Sequence, residues 1–122
     1  MFPYHNTFLP PAPALEVEVR NPHTGTAQLL LAKLDTGADG TLIPEDLVQT
    51  LGLRSHDRFL AVAFDTQAKF IPSYLIDLTL AGWVFTQLEV PTTPLPYILI
   101  GRDILNQLVI TLDGPQLTFD IK

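Results

Sequence analysis

From Leu15 to Arg20 apolar and charged side chains alternate, Leu15, Val17 and Val19 against Glu16, Glu18 and Arg20. A period of two marks a strand with one face buried. Asn21-Pro22-His23-Thr24-Gly25 is turn chemistry. Ala27 to Leu34 is apolar enough for a strand buried on both faces, so the two runs predict a hairpin. Thr41-Leu42-Ile43 reads as a short strand. Pro44 then suits a first helical position, Glu45 and Asp46 favour the N-terminal dipole, and Gly52 suits a C-terminal cap. A helix of about two turns is expected over Pro44–Leu51.

Further on, Arg58–Phe64 and Lys69–Leu80 are strand-like and are separated by Asp65-Thr66-Gln67-Ala68. Ala81-Gly82 is a turn, and Trp83–Val90 is a strand whose Trp83 and Phe85 are expected in the core. A stiff proline-rich loop, Pro91–Pro96, precedes a buried strand at Ile98. A helix is expected over Gly101–Gln107, followed by a hairpin of Leu108–Leu112 and Gln116–Ile121 around Asp113-Gly114-Pro115. Residues 1–13 carry Pro3, Pro10, Pro11 and Pro13 and read as an extended arm, because proline is excluded from helix interiors and central strands. The pattern therefore predicts an all-β fold, barrel-like, with two short helices: one domain over residues 14–122 behind an arm over 1–13.

Composition narrows what such a fold does. The 122 residues are 47% hydrophobic and only 16% charged, which suits a β core together with an apolar subunit interface. The net charge of −6 and scattered basic residues argue against a phosphate-binding surface, so nucleic acid is not an expected partner. With no cysteine, neither disulfides nor thiolate chemistry are available. The proline-rich N-terminus lacks the basic start of a signal peptide, and no apolar run approaches the ~18 residues of a membrane span. The expectation is a cytoplasmic, stand-alone protein with no membrane partner.

Asp35-Thr36-Gly37 is where chemistry enters. It ends the apolar run Leu29–Leu34 and is followed by Ala38-Asp39-Gly40-Thr41. A carboxylate leaving a hydrophobic strand into a glycine-flanked turn is costly to bury alone, so its placement asks for a chemical reason. Later, Ile98-Leu99-Ile100-Gly101-Arg102-Asp103-Ile104-Leu105 is a buried strand that breaks at glycine into a helix.

Together the two segments resemble the retropepsin family of aspartic proteases over roughly Leu15 to Leu112. The resemblance implies catalysis by Asp35, Thr36 and Gly37. Two carboxylates must share one proton, one acting as base on water and the other as acid toward the scissile carbonyl. Asp35 is the only aspartate here in an Asp-Thr-Gly context, so its mate is Asp35 of a second chain and the protein is expected to be a homodimer. Thr36 would bond across the two-fold axis. Gly37, Ala38, Asp39, Gly40 and Ile100 would line a cleft for a polypeptide substrate. Arg102, Gly101 and Leu99 would support the loop, with Arg102 paired to Asp39. Ala38 stands where pepsin-like relatives often have a hydroxyl that supports the ionised dyad, and its absence predicts a mildly acidic activity optimum. The flap is expected at Phe64, Asp65, Thr66, Gln67 and Ala68, which lack the glycines of viral flaps. Phe119 and Ile121 are candidates for the subunit interface. No cofactor and no metal are implied.

Other readings stand beside this one. Asp35-Thr36-Gly37 alone is compatible with an Asx-type turn. Asp35, Asp39 and Gly40 match three positions of a calcium loop, although Gly37 replaces a ligand there and the preceding segment is a strand. Ser55-His56-Asp57 has the residue types of a triad, but adjacent side chains do not converge. His5, His23 and His56 lack metal-ligand spacing. A non-catalytic module of the same fold, binding extended peptides or serving dimerisation, is the alternative function.

Overall fold

Strand β2 (Ala12–Arg20) organises the sheet. Its alternation buries Leu15, Val17 and Val19 and leaves Glu16 and Arg20 in water, as the period of two requires. Along one edge β2 pairs antiparallel with β3 (Ala27–Leu34), from Ala14↔Lys33 to Arg20↔Ala27. Its other edge is shared. At the start of β2, Ala12 and Pro13 face β1 (Phe2–His5); at its end, Glu18 to Arg20 face β6 (Ala68–Leu80). The computed structural model describes residues 1–62 and 68–122.

The long β6 also pairs with β5 (Ser55–Val62) and with β7 (Trp83–Val90). Ala81 and Gly82 join β6 to β7 with φ of 49° and 85°. Two positive values in succession are those of a type I′ turn, whose twist matches the strands it connects. Between β3 and β6 come β4 (Ile43–Pro44) and helix α1 (Glu45–Thr50), with Pro44 as the N-cap. The expected stiff loop contains β8 (Thr92–Thr93), which pairs parallel with β4. Then β9 (Ile98–Ile100) runs parallel to the end of β3, and Gly101 caps helix α2 (Arg102–Leu105). β10 (Ile110–Asp113) and β11 (Thr118–Ile121) close the chain as a hairpin. The core gathers Val17, Val19, Ile43, Ile76, Leu78, Leu80, Ile98, Ile100, Ile104 and Phe119, all at most 2% exposed.

Four expectations are corrected. The sheet is not closed into a barrel: among the described strands it runs β10-β11-β1-β2-β3-β9, and the outer edges of β10 and β7 have no strand partner. The proline-rich arm is not free of the sheet. Phe2 and Pro3 pair with Phe119 and Thr118 of β11, while Tyr4 and His5 pair with β2, so β1 passes between two neighbours. Short ladders let Pro3 and Pro13 sit in strands without breaking long rows of hydrogen bonds. β3 is not buried on both faces: Ala27 to Leu29 are exposed, at the end of the strand away from the Ala32–Leu34 stretch that pairs with β9. Trp83 lies on the exposed rim, and only Phe85 enters the core.

Candidate active site

Asp35 follows directly on β3, where the β3–β9 ladder ends. Its N–H donates to the carbonyl of Ile100 at 2.9 Å, which extends that ladder by one residue. The chain then turns tightly. Asp35 Oδ1 accepts from Gly37 N at 2.9 Å, and the Asp35 carbonyl accepts from Ala38 N at 3.2 Å. This is Asx-turn geometry. The turn is thus real, but it is one part of a larger assembly.

Arg102 holds that turn from α2. Its Nη1 donates to the Thr36 carbonyl at 2.7 Å, its Nη2 pairs with Asp39 Oδ1, and its N–H donates to the Ala38 carbonyl at 2.9 Å. One guanidinium fork therefore spans two points of the loop in the fixed geometry that suits arginine. The Asp39 side chain is 95% exposed, so this ion pair contributes little to stability and acts by orienting the loop. With Asp39 turned to Arg102, and no cluster of three acidic or histidine side chains among the described residues, the calcium-loop reading has no ligand set.

Beneath the loop, Gly101 lies against Gly40. A Cβ on Gly101 would sit 2.4 Å from both the carbonyl carbon and oxygen of Gly40. Beside this contact is a pair that the sequence analysis did not single out. Thr41 Oγ1 donates to Asp103 Oδ1 at 2.8 Å and accepts from Gly101 N at 3.2 Å. Asp103 Oδ2 accepts from Thr41 N at 3.1 Å, and its Oδ1 from Ile104 N at 2.9 Å. The available signal was an acid beginning a helix, but its partner is 62 residues away and no local pattern joins them. Leu42 and Leu99 exchange backbone hydrogen bonds of 2.9 and 3.0 Å. The segment 35–42 is thus tied to 99–103 along its length.

A Thr41→Val substitution keeps the shape and removes the hydroxyl, leaving Gly101 N–H without its acceptor and Asp103 without one donor. A loss of about 2 kcal/mol in urea denaturation is expected, most of it restored in Thr41→Ser. Equal stability of the valine variant and the native protein would show that the hydroxyl holds nothing.

The structure brings Asp35, Thr36, Gly37, Ala38, Asp39, Gly40, Leu99, Gly101 and Arg102 into one assembly. Ile100 is fully buried and serves through its carbonyl, which holds Asp35 N–H, rather than as an open surface. Of the expected flap, Phe64, Asp65, Thr66 and Gln67 lie outside the described residues, and Ala68 begins β6. Phe119 is buried in its own subunit, stacked on Phe2 with ring centroids 5.3 Å apart, and is not available to a partner.

Asp35 and Thr36 open onto a groove of about 410 Å³ lined also by Leu34, Leu105, Leu108, Ile110 and Leu112. Asp35 is the one acid in that lining. It carries no ion pair among the described residues, and its turn is preorganised by main-chain donors. Such a carboxylate can accept or donate a proton, and a second acid beside it would complete a general acid–base pair.

The chain is similar to known proteins. A family model described as Aspartyl protease matches residues 17–104. The simian foamy virus (mac) protease is 26% identical, with a TM-score of 0.58 over 77% of this chain and 92% of that one. EIAV protease, solved with the inhibitor HBY-793, is 20% identical, with a TM-score of 0.59 over 79% of this chain and 86% of that one. A retropepsin-like aspartic protease from Rickettsia conorii is 12% identical, with a TM-score of 0.61 over 92% of this chain and 82% of that one. No curated protein sequence gives a significant match. With the matched span containing both the Asp35 turn and the Arg102 helix that holds it, the chain belongs to the aspartyl protease family and has the retropepsin-like fold.

Proposed function

We propose that this protein is a homodimeric aspartic endopeptidase whose active site is completed by Asp35 from each of two subunits. The observation that carries this reading is Asp35 itself: a single carboxylate on a firmly tied turn, facing an apolar groove that contains no second acid. In the reaction, one Asp35 is ionised and takes a proton from water. The water oxygen bonds to the scissile carbonyl carbon while the partner's Asp35, protonated, gives its proton to the carbonyl oxygen. Collapse of the tetrahedral intermediate breaks the C–N bond as the first Asp35 gives its proton to the nitrogen, while the partner's Asp35 takes a proton back from a hydroxyl as the carbonyl re-forms. Like charges about 3 Å apart cannot both ionise, which holds one proton on the pair without a metal. The substrate would be an extended polypeptide against Gly37, Ala38, Asp39 and Gly40. Thr36, exposed beside Asp35, would meet its counterpart across the axis of such a dimer.

The groove also supports the dimer. Its rim includes β10, whose outer edge has no strand partner among the described residues, and Val109 and Leu112 are 64% and 56% exposed there. An unpaired apolar edge next to a half-site is a surface that a second copy would cover. Leu112→Glu is expected to leave the subunit folded, shift it to monomer in sedimentation at micromolar concentration, and remove cleavage. A charged variant that stays dimeric and active would place the interface elsewhere.

The direct test is cleavage of a diverse peptide library at mildly acidic to neutral pH, with rates measured against protein concentration. A rate rising more steeply than linearly supports a shared site. A stable dimer that binds peptides and cleaves none would favour the non-catalytic module instead.

A further inference from the structure

A second groove, of about 430 Å³, opens at the opposite end of β3 from Asp35. With about 3.3 Å per strand residue, the eight residues of β3 place it roughly 25 Å from that carboxylate. One wall is the turn after β2, with His23; the other is the segment after α1, with Arg54 and His56. The protein carries a net charge of −6, yet no carboxylate lines this groove, and two of its three histidines do.

The walls are held in place by Asn21, which is 3% exposed. Its Nδ2 donates to the carbonyl of Leu51 at 2.9 Å, where α1 ends, while its Oδ1 accepts from His23 N at 2.9 Å and Thr24 N at 3.3 Å. A buried amide thus clamps the turn to the helix end, so the groove's side chains stand on a preorganised frame. Arg54 has no hydrogen bond or ion pair among the described residues, and neither has the His23 ring. His56 Nε2 is 3.8 Å from Glu89 Oε2, which neutralises part of its charge when it is protonated but leaves the other ring nitrogen open. A guanidinium presents five N–H donors, and an imidazole at least one.

We propose that this groove is a binding site for an oxyanion, carboxylate or phosphate, held by the Arg54 guanidinium with His23 and His56 as further donors. The site is independent of the protease reading and is tested by binding, so the failure of one leaves the other standing. Inorganic phosphate and acetate are titrated separately into the protein at pH 6, following the histidine ring and arginine side-chain NMR signals. The expected result is saturable movement of the His23, His56 and Arg54 signals by at least one of the two, with a dissociation constant of about 1 mM. Phosphate binding tighter than acetate assigns a phosphate group, and the reverse assigns a carboxylate. Arg54→Gln, with an unchanged thermal midpoint, should weaken binding about tenfold, as loss of a charge-assisted donor does. His23→Gln should weaken it less, and Lys122→Gln not at all. The absence of saturation with both anions, or equal weakening by Lys122→Gln and Arg54→Gln, would overturn the proposal.

Discussion

Replacing Asp35 with asparagine is expected to lower peptide cleavage by about 10⁴-fold, the upper range for loss of a general acid–base group. In a dimer the substitution acts on both sides of the axis at once, so no carboxylate remains to take the proton from water. The fold should not change. Asparagine keeps a side-chain oxygen to accept from Gly37 N, and the Asp35 main chain keeps its bonds to Ile100 and Ala38. Circular dichroism and sedimentation should therefore match the native protein while kcat collapses. Cleavage within tenfold of native would remove Asp35 from the chemistry and point to a contaminating protease.

Gly101→Ala should have the largest effect on stability. Its backbone, with φ of −93°, is open to any residue, so conformational preference is not the obstacle. The obstacle is contact: the added Cβ would lie 2.4 Å from the Gly40 carbonyl carbon and oxygen and 2.8 Å from its Cα. All three are main-chain atoms in a segment anchored by Arg102, Thr41 and Asp103, and no flexible side chain is there to yield. Forced overpacking of this kind costs about 3 kcal/mol, a fall in the melting midpoint of roughly 10 °C for a domain of this size. Because the strain falls on the loop that carries Asp35, cleavage should be lost as well. Gly114→Ala is the control: it has nothing within 4 Å and should be close to neutral. Similar midpoints for the two alanine variants would mean that the Gly40–Gly101 contact is loosely packed.

Both expectations rest on residues that were legible before the fold was known. Asp35 and Gly101 lie in motifs that are continuous in the chain, and the apolar strands leading into each are visible as runs. The Arg102–Asp39 pair also followed from the motif resemblance, and the structure contains it. Thr41 and Asp103 were not legible as partners, because a buried threonine and a helix-start acid each have ordinary local explanations. The exposure of Leu29 at 58% was hidden for a similar reason. An apolar strand side chain is covered only where another part of the fold packs over it, and the apolar run does not show where that packing stops.

By itself, then, the sequence determined the alternation of β2, the Ala81-Gly82 turn, the two helix starts and the two motifs. Each depends on side chains within a few residues, acting through strand period, turn stereochemistry or helix-end charge. The tertiary structure alone decided that the sheet stays open, that β1 threads between β11 and β2, and that Phe119 is core while β10 is left as an edge. It also decided that Gly40 and Gly101 meet. These are choices among long-range pairings, whose free energies depend on which distant surfaces fit together, and no local pattern of residues encodes that fit.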